Sequence, residues 1–387
     1  MSEAKKLPQY IAAVCVCIGA LGSGTVLGWT SNITDDLKAG KLGGLEMTDF
    51  QLSWVGSLVP LGAMFICMPV GWMADVIGRK LTVLFSSIPF IIGWLLMTFP
   101  AHIGMVYAGR LLTGIAGGSF CVTAPLYTSE IAQTDIRGRL GGENYNPADE
   151  IKVIQEQIAK DQSKKNFWEA MGTKAAKKAT VICFMLMFYQ QMSGINAVIF
   201  YSKDIFTAAE SSVPSHWCTI IIGAVQVVAT LVSAWSIEKV GRKVLLIISD
   251  LFMAISCFLL GVFFSIKNHE LADQDTIKAI AFIPILSLVI FIIAFSLGSG
   301  PIPWLASSEI FPPDVMAKCS SAAGAFNWFL AYLVTMFYHT VATTIGNDIT
   351  FYIFAGVSAT GVFFVLLIIP ETKGKTFAEI QAELSGE

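Results

Sequence analysis

Hydrophobic stretches of about twenty residues recur ten times along the chain, separated by short polar turns everywhere but one place. They run roughly over 10–33, 50–74, 81–100, 105–128, 179–202, 218–237, 244–266, 280–308, 319–342 and 349–369. An α-helix of that length crosses a bilayer, since each residue advances it about 1.5 Å through about 30 Å of hydrocarbon. The pattern predicts an all-α polytopic membrane protein with ten transmembrane helices. The exception is 129–178, the one long polar region. There Asn146-Pro147 offers a cap and a first-turn proline, and Ile151, Ile154 and Ile158 recur at helical spacing among charges. An amphipathic helix is expected, either lying against the membrane helices or solvated as a linker.

One stretch breaks the apolar pattern from within. Gln190, Gln191 and Asn196 sit inside a hydrophobic run, where lipid offers no hydrogen bonds. Uncharged amides at that depth suit a neutral polyhydroxylated solute, whose hydroxyls both donate and accept. They equally suit helix–helix packing. An unbroken helix would set Gln190 and Asn196 about 120° apart, so either a bend, which Ser193-Gly194 would permit, or a wide cavity is expected if both face one solute.

Composition agrees with a membrane protein: 55% of the 387 residues are hydrophobic and 14% charged. The net charge of −3 says little, and no nucleic-acid partner is expected. The distribution of charge says more. With the N-terminus inside, 19 of the 25 Lys and Arg fall on the cytoplasmic side, and the other six (Lys38, Lys41, Arg110, Lys203, Lys267, Lys278) fall outside. Both termini are therefore expected in the cytoplasm. Eight cysteines, spread singly over apolar runs without a CxxC, read as small fillers rather than disulfides or metal ligands. No cofactor is expected. With no metal-ligand cluster or nucleophile triad, neither is an enzyme.

Internal repetition gives the organisation. Asp75-Val-Ile-Gly-Arg79-Lys recurs as Glu238-Lys-Val-Gly-Arg242-Lys, each in a short turn between two apolar runs. Ser-Glu130-Ile recurs as Ser-Glu309-Ile, two apolar runs later in each copy. Two homologous halves follow, as in transporters built of parallel repeats. They are unequal. After Glu309 two more apolar runs follow, whereas after Glu130 the sequence passes through Arg137-Gly138 straight into the polar region. The expected division is a first half over 1–140 with four helices, a linker over 141–178, a second half over 179–370 with six, and a tail over 371–387.

These motifs resemble the sugar porter family of the major facilitator superfamily, and within it the insect facilitated trehalose transporters. The pieces are Gly24-Thr-Val-Leu-Gly-Trp-Thr-Ser31, the two Gly-Arg-Lys turns, Pro125-Leu-Tyr-Thr-Ser-Glu-Ile-Ala132 with Arg137-Gly138, and Gln190-Gln-Met-Ser-Gly-Ile-Asn-Ala197. To them belong Gly300-Pro-Ile-Pro-Trp304, Phe326-Asn-Trp328 and Pro370-Glu-Thr-Lys-Gly374. The resemblance implies two six-helix halves that rock about a central cavity. It implies a sugar site of Gln190, Gln191, Asn196, Gln226, Phe295, Trp304, Asn327 and Trp328. Amides would take the hydroxyls and aromatic faces the C–H faces of the ring. It also implies a cytoplasmic gate in which Arg79 and Arg242 pair with Glu130 and Glu309, flanked by Asp75, Arg137 and Glu238. Cations at such turns serve topology alone equally well.

Departures from the family pattern qualify the function. The first half lacks the fifth and sixth helices and the counterpart of Pro370-Glu371. The usual Arg-Gly after the Glu309 segment reads Met316-Ala317. Thr30 stands where proton-coupled members carry an acid, and the one acid well inside a run, Asp250, lies on a helix that is peripheral in the family. The expectation is facilitative transport of trehalose or a hexose such as glucose, in the plasma membrane. The alternative is a shortened, transport-deficient chain that binds sugar or a partner.

Overall fold

At membrane depth every backbone amide has to be paired within the protein, so each apolar run should fold as a helix ending at glycine, proline or charge. A computed structural model, describing residues 6–131, 167–209, 214–375 and 377–386, has this form. The first half holds α1 (Lys6–Lys38), α2 (Asp49–Val76), α3 (Arg79–Thr98) and α4 (Ile103–Ile131). The second holds α5 (Phe167–Met171), α6 (Lys174–Met192), α7 (Ile195–Ala208), α8 (Ser215–Val240), α9 (Arg242–Asn268) and α10 (Gln274–Ala279). It continues with α11 (Ile283–Leu297), α12 (Ile302–Glu309), α13 (Pro313–Ile345), α14 (Asn347–Ile368) and α15 (Phe377–Ser385). Among the described residues ten helical spans are long and apolar enough to cross a membrane. Four lie in the first half and six in the second, with α6–α7 forming one span and α10–α12 another. The expected amphipathic helix at Ile151–Ile158, and Arg137, lie outside the described residues.

Glycine lets the first-half helices approach closely. A Cβ on Gly114 of α4 would stand 2.2 Å from Val59 O of α2, and one on Gly93 of α3 2.8 Å from Gly109 O of α4. The halves meet where α2 packs on α13. Gly56 faces Thr335 there, and Ser57 Oγ donates to Met336 Sδ at 3.4 Å. At the end of the bundle away from the Gly-Arg-Lys turns, Lys203 Nζ lies 2.7 Å from Asp35 Oδ2 and His339 Nε2 3.9 Å from Asp49 Oδ1. Both contacts join the first half to the second.

Burial is unevenly shared. Two large apolar clusters fill the second half, one around Phe200, Phe263, Phe291 and Phe351, the other around Ile182, Leu246, Phe311 and Val365. The tail helix α15 adds Ile380 and Leu384 to the second. The first-half cluster is Leu37, Met47, Leu52, Val55 and Val106. Meanwhile α1 leaves Val14, Ile18 and Leu21 exposed, which in a bilayer face lipid.

Arg110, counted with the cations of the outer side, is fully buried inside the first half. Its guanidinium donates to Val55 O of α2 and Val26 O of α1, each at 2.8 Å, and to Thr30 Oγ1 at 2.5 Å, and it stacks on the Trp29 ring. Hydrogen bonds to carbonyls and a cation–π contact let a charge remain where a lone ion would not.

Candidate functional site

The bend is present. Helix α6 stops at Met192, Gly194 takes φ +90°, and α7 restarts at Ile195. Glycine is required twice over here, because a Cβ at residue 194 would also stand 2.6 Å from the Phe354 ring. A second break lies between α11 and α12, across Gly298-Ser299-Gly300-Pro301, where proline removes a donor and glycine frees the chain.

The amides beside the first break reach the second. Gln190 Nε2 donates to Ser299 O and Gly300 O, both at 2.7 Å, carbonyls that the α11–α12 break frees from helical pairing. Gln190 Oε1 accepts from Asn327 Nδ2 at 2.6 Å, and Asn327 Oδ1 accepts from Gln191 Nε2 at 2.7 Å. Gln191 Oε1 in turn accepts from Asn196 Nδ2. Four amides from α6, α7 and α13 thus form one chain of hydrogen bonds ending on an opened helix. All four are buried, Asn327 most completely. Yet the chain is not saturated. Asn196 has one N–H and its carbonyl oxygen without a protein partner among the described residues, and Gln191 has one N–H so placed.

Around this chain the other predicted residues are placed unequally. Phe295 packs against Gly300 at the second break. Trp304 on α12 lies over Gly324 of α13 and is partly exposed. The Trp328 indole nitrogen is buried without a hydrogen-bond partner among the described residues. Gln226, on α8, is half-buried and shares no hydrogen bond with the amides. Two hollows lie elsewhere: about 570 Å³ beside the Lys267–Asp273 turn, and about 700 Å³ of apolar space between α9 and α14.

At the opposite end of α12 the second Gly-Arg-Lys turn is tied down. Arg242 Nη2 lies 2.8 Å from Glu309 Oε1, and Thr372 Oγ1 donates to Glu309 Oε2 at 2.6 Å. Glu371 accepts the backbone N–H groups of Arg242 and Lys243, both at 3.0 Å, so an anion caps the start of α9. In the first turn Arg79 pairs with Asp75 at 3.1 Å and reaches Ala74 O. The side chains of Glu130 and Glu238 lie outside the described residues.

Sequence reasoning did not foresee the parts played by Ser299, Ser249 and Asp250. Ser299 Oγ donates to Asp250 Oδ1 at 2.5 Å, and Ser299 N–H donates to Ser249 Oγ at 3.0 Å. The signal available was a single acid in an apolar run, which names no partner.

Comparison with known proteins gives a consistent picture. The profile of the family described as "Sugar (and other) transporter" matches in two pieces, residues 24–146 and 142–384. A facilitated trehalose transporter of Anopheles gambiae is 32% identical across 98% of this chain, and one of Culex quinquefasciatus is equally similar. The chain spans 56% of the length of the first and 86% of the second. Both alignments run over 448 positions against 387 residues here, so at least 61 positions face a gap in this chain. Among solved structures, an inward-open xylose transporter of E. coli superposes with a TM-score of 0.72 at 20% identity. It covers 97% of this chain and 99% of its own, which shows a shared major facilitator fold.

Proposed function

Because the chain belongs to the sugar (and other) transporter family, we propose that it carries a neutral sugar, trehalose or a hexose such as glucose, across the membrane by alternating access. It is a membrane protein of a transporter family and not an enzyme. The observation that carries the reading is the amide chain Asn196–Gln191–Asn327–Gln190 strung between two broken helices. Uncharged donors and acceptors at membrane depth, some of them unspent, suit hydroxyls and not ions. Replacing Gln190 or Asn196 by Ala should weaken binding of labelled trehalose or glucose severalfold while leaving expression intact, since each hydrogen bond contributes on the order of 1 kcal/mol. Variants that bind as the parent does would reduce the amides to helix packing.

Transport without a coupled ion is the reading the first half supports. Arg110, the buried cation there, is met by the Thr30 hydroxyl, which carries no titratable proton near neutrality. The solved structures with this fold include a D-xylose–proton symporter, so the fold admits either mode. Uptake into vesicles that does not respond to an imposed proton gradient is the expected result. We place both termini in the cytoplasm of a plasma-membrane protein. Thiol labelling should then mark Lys38→Cys and Lys267→Cys from outside and spare Lys160→Cys. The ion pair Lys203–Asp35 and the approach of His339 to Asp49 then hold the halves together on the outer side, which suits a state open to the cytoplasm.

A second reading is favoured by one observation. The family profile splits at 142–146, where the first half runs out of membrane helices, and the relatives carry at least 61 positions with no counterpart. In that reading the second half keeps its sugar site but the chain does not complete a transport cycle.

A further inference from the structure

Asp250 is the acid that neither the sugar site nor the gate uses. It is almost fully buried, on α9, at a depth where a carboxylate is costly to keep. Its Oδ1 accepts from Ser299 Oγ at 2.5 Å, and Gly361 of α14 leaves it room, since a Cβ there would stand 3.0 Å from Oδ2. Ser299 belongs to the break between α11 and α12. Its N–H donates to Ser249 Oγ at 3.0 Å, while Ser249 Oγ itself donates to Ala294 O at 2.7 Å. Next to it Gly298 is pressed on α9, where a Cβ would stand 2.5 Å from Leu245 O. The carbonyls of the same break face the amides, with Ser299 O and Gly300 O taking both side-chain N–H groups of Gln190. The break is therefore gripped between Ser249-Asp250 behind and Gln190 in front.

Mere packing of α9 on α11 would be met by an apolar or neutral residue at 250, without the cost of a carboxylate. What a carboxylate adds, in its ionised form, is direction. It obliges the Ser299 hydroxyl to donate, and it makes that bond shorter and stronger than a neutral one. Fixing Ser299 fixes the two carbonyls. Those carbonyls consume both Gln190 hydrogens and so force Gln190 Oε1 toward Asn327, which sets the direction of the amide chain as far as Asn196. We propose that Asp250 is a positioning residue for sugar binding, acting through Ser299 on Gln190 without touching the solute.

This rests on the amide cluster being the sugar site, and the test separates the two claims. Binding of labelled trehalose and D-glucose to the purified full chain would be measured for Gln190→Ala, Ser299→Ala, Asp250→Asn and the doubles Gln190→Ala/Ser299→Ala and Gln190→Ala/Asp250→Asn. Ser299→Ala and Asp250→Asn should each weaken binding roughly threefold to tenfold in the parent. They should have little further effect once Gln190 is Ala, because the residue they orient is gone. Asp250→Asn, which keeps an acceptor of the same shape, should lose less than Asp250→Ala. Additive losses in the doubles would overturn the proposal, leaving Asp250 as a general support of the fold. Parent-like binding by both Ser299→Ala and Asp250→Asn, with Gln190→Ala impaired, would overturn it while sparing the site. Parent-like binding by Gln190→Ala would remove the site and this inference together.

Discussion

The turns at Gly78 and Gly241 have nearly the same sequence and the same backbone, φ +88° with ψ 152° and φ +103° with ψ 156°. That region of conformational space is open essentially to glycine alone. Yet they are held differently. At Gly241 the carboxylate of Glu371 covers the helix start, Glu309 takes the arginine, and Lys373 Nζ reaches back to Lys239 O at 2.6 Å. At Gly78 the arginine meets Asp75 one turn earlier, and Asp75 is 72% exposed. The motif builds the turn, and what covers it comes from far along the chain: in the second half Glu309 from the end of α12, and Glu371, Thr372 and Lys373 from beyond the last membrane helix. In the first half Glu130 recurs in the place of Glu309, and the stretch that would supply a counterpart of Glu371 is absent from the sequence.

The largest effect should come from supplying what the first half lacks. A chimera with a helix pair and its Pro-Glu motif from a trehalose transporter, inserted after Arg139, should raise vesicle uptake at least about tenfold, a difference of roughly 1.4 kcal/mol in the limiting step. A polar cavity wall formed by α1 and α4 alone would meet hydrocarbon, and no apolar packing can satisfy it. Equal uptake by the monomeric short chain and the chimera would show that the pair is dispensable. It would also end the reading of the halves as unequal in function.

How far the sequence could be read follows the same division. The ten helices were legible because a run of apolar residues long enough to cross lipid has few other folds. The first break was legible because Gly194 interrupts such a run. The amides stood out as polar residues without an excuse at that depth, and Gln190, Gln191, Asn196 and Asn327 do come together. What could not be read was which helix faces which. Runs that are apolar all round carry little periodicity to fix a face. Nothing in the sequence therefore joined Asp250 to Ser299, 49 residues away, or Glu371 to the start of a helix 129 residues earlier. The burial of Arg110 was hidden for a related reason: only the carbonyls of α1 and α2 reveal it.

Replacing the turn glycines sharpens the contrast at the next scale. Either substitution by Ala forces a side chain into strained backbone, which costs of the order of 1–3 kcal/mol. At Gly78 nothing lies within 4 Å of the new Cβ, so strain is the whole cost. At Gly241 the Cβ would stand 2.8 Å from Glu371 Oε2, and the carboxylate has to withdraw from the helix start. Gly241→Ala should therefore be the more destabilising by about 1 kcal/mol, the usual contribution of an anionic helix cap. Thermal unfolding of the two purified variants measures the difference. Equal losses would mean that Glu371 caps α9 in geometry only.

Removing single charges should give the smallest effects, and still in the same order. Glu371→Gln keeps an acceptor but gives up the charge that faces the N-terminus of α9, where three backbone N–H groups (Arg242, Lys243 and Lys373) converge on one carboxylate. A loss of about 1 kcal/mol is expected, since charged acceptors at helix starts outperform neutral ones. Asp75→Asn removes an i,i+4 ion pair whose acid is mostly in solvent, and Arg79 retains its bond to Ala74 O. Exposed pairs of that kind contribute about 0.3–0.5 kcal/mol, and salt screens them further. The two substitutions should thus differ in salt response as well as size. Raising ionic strength should shrink the small Asp75→Asn effect toward zero and leave most of the Glu371→Gln effect in place, because that carboxylate is held by backbone donors. A loss at Asp75 as large and as salt-resistant as that at Glu371 would mean that the acid of the first turn is held as firmly as the one that caps α9.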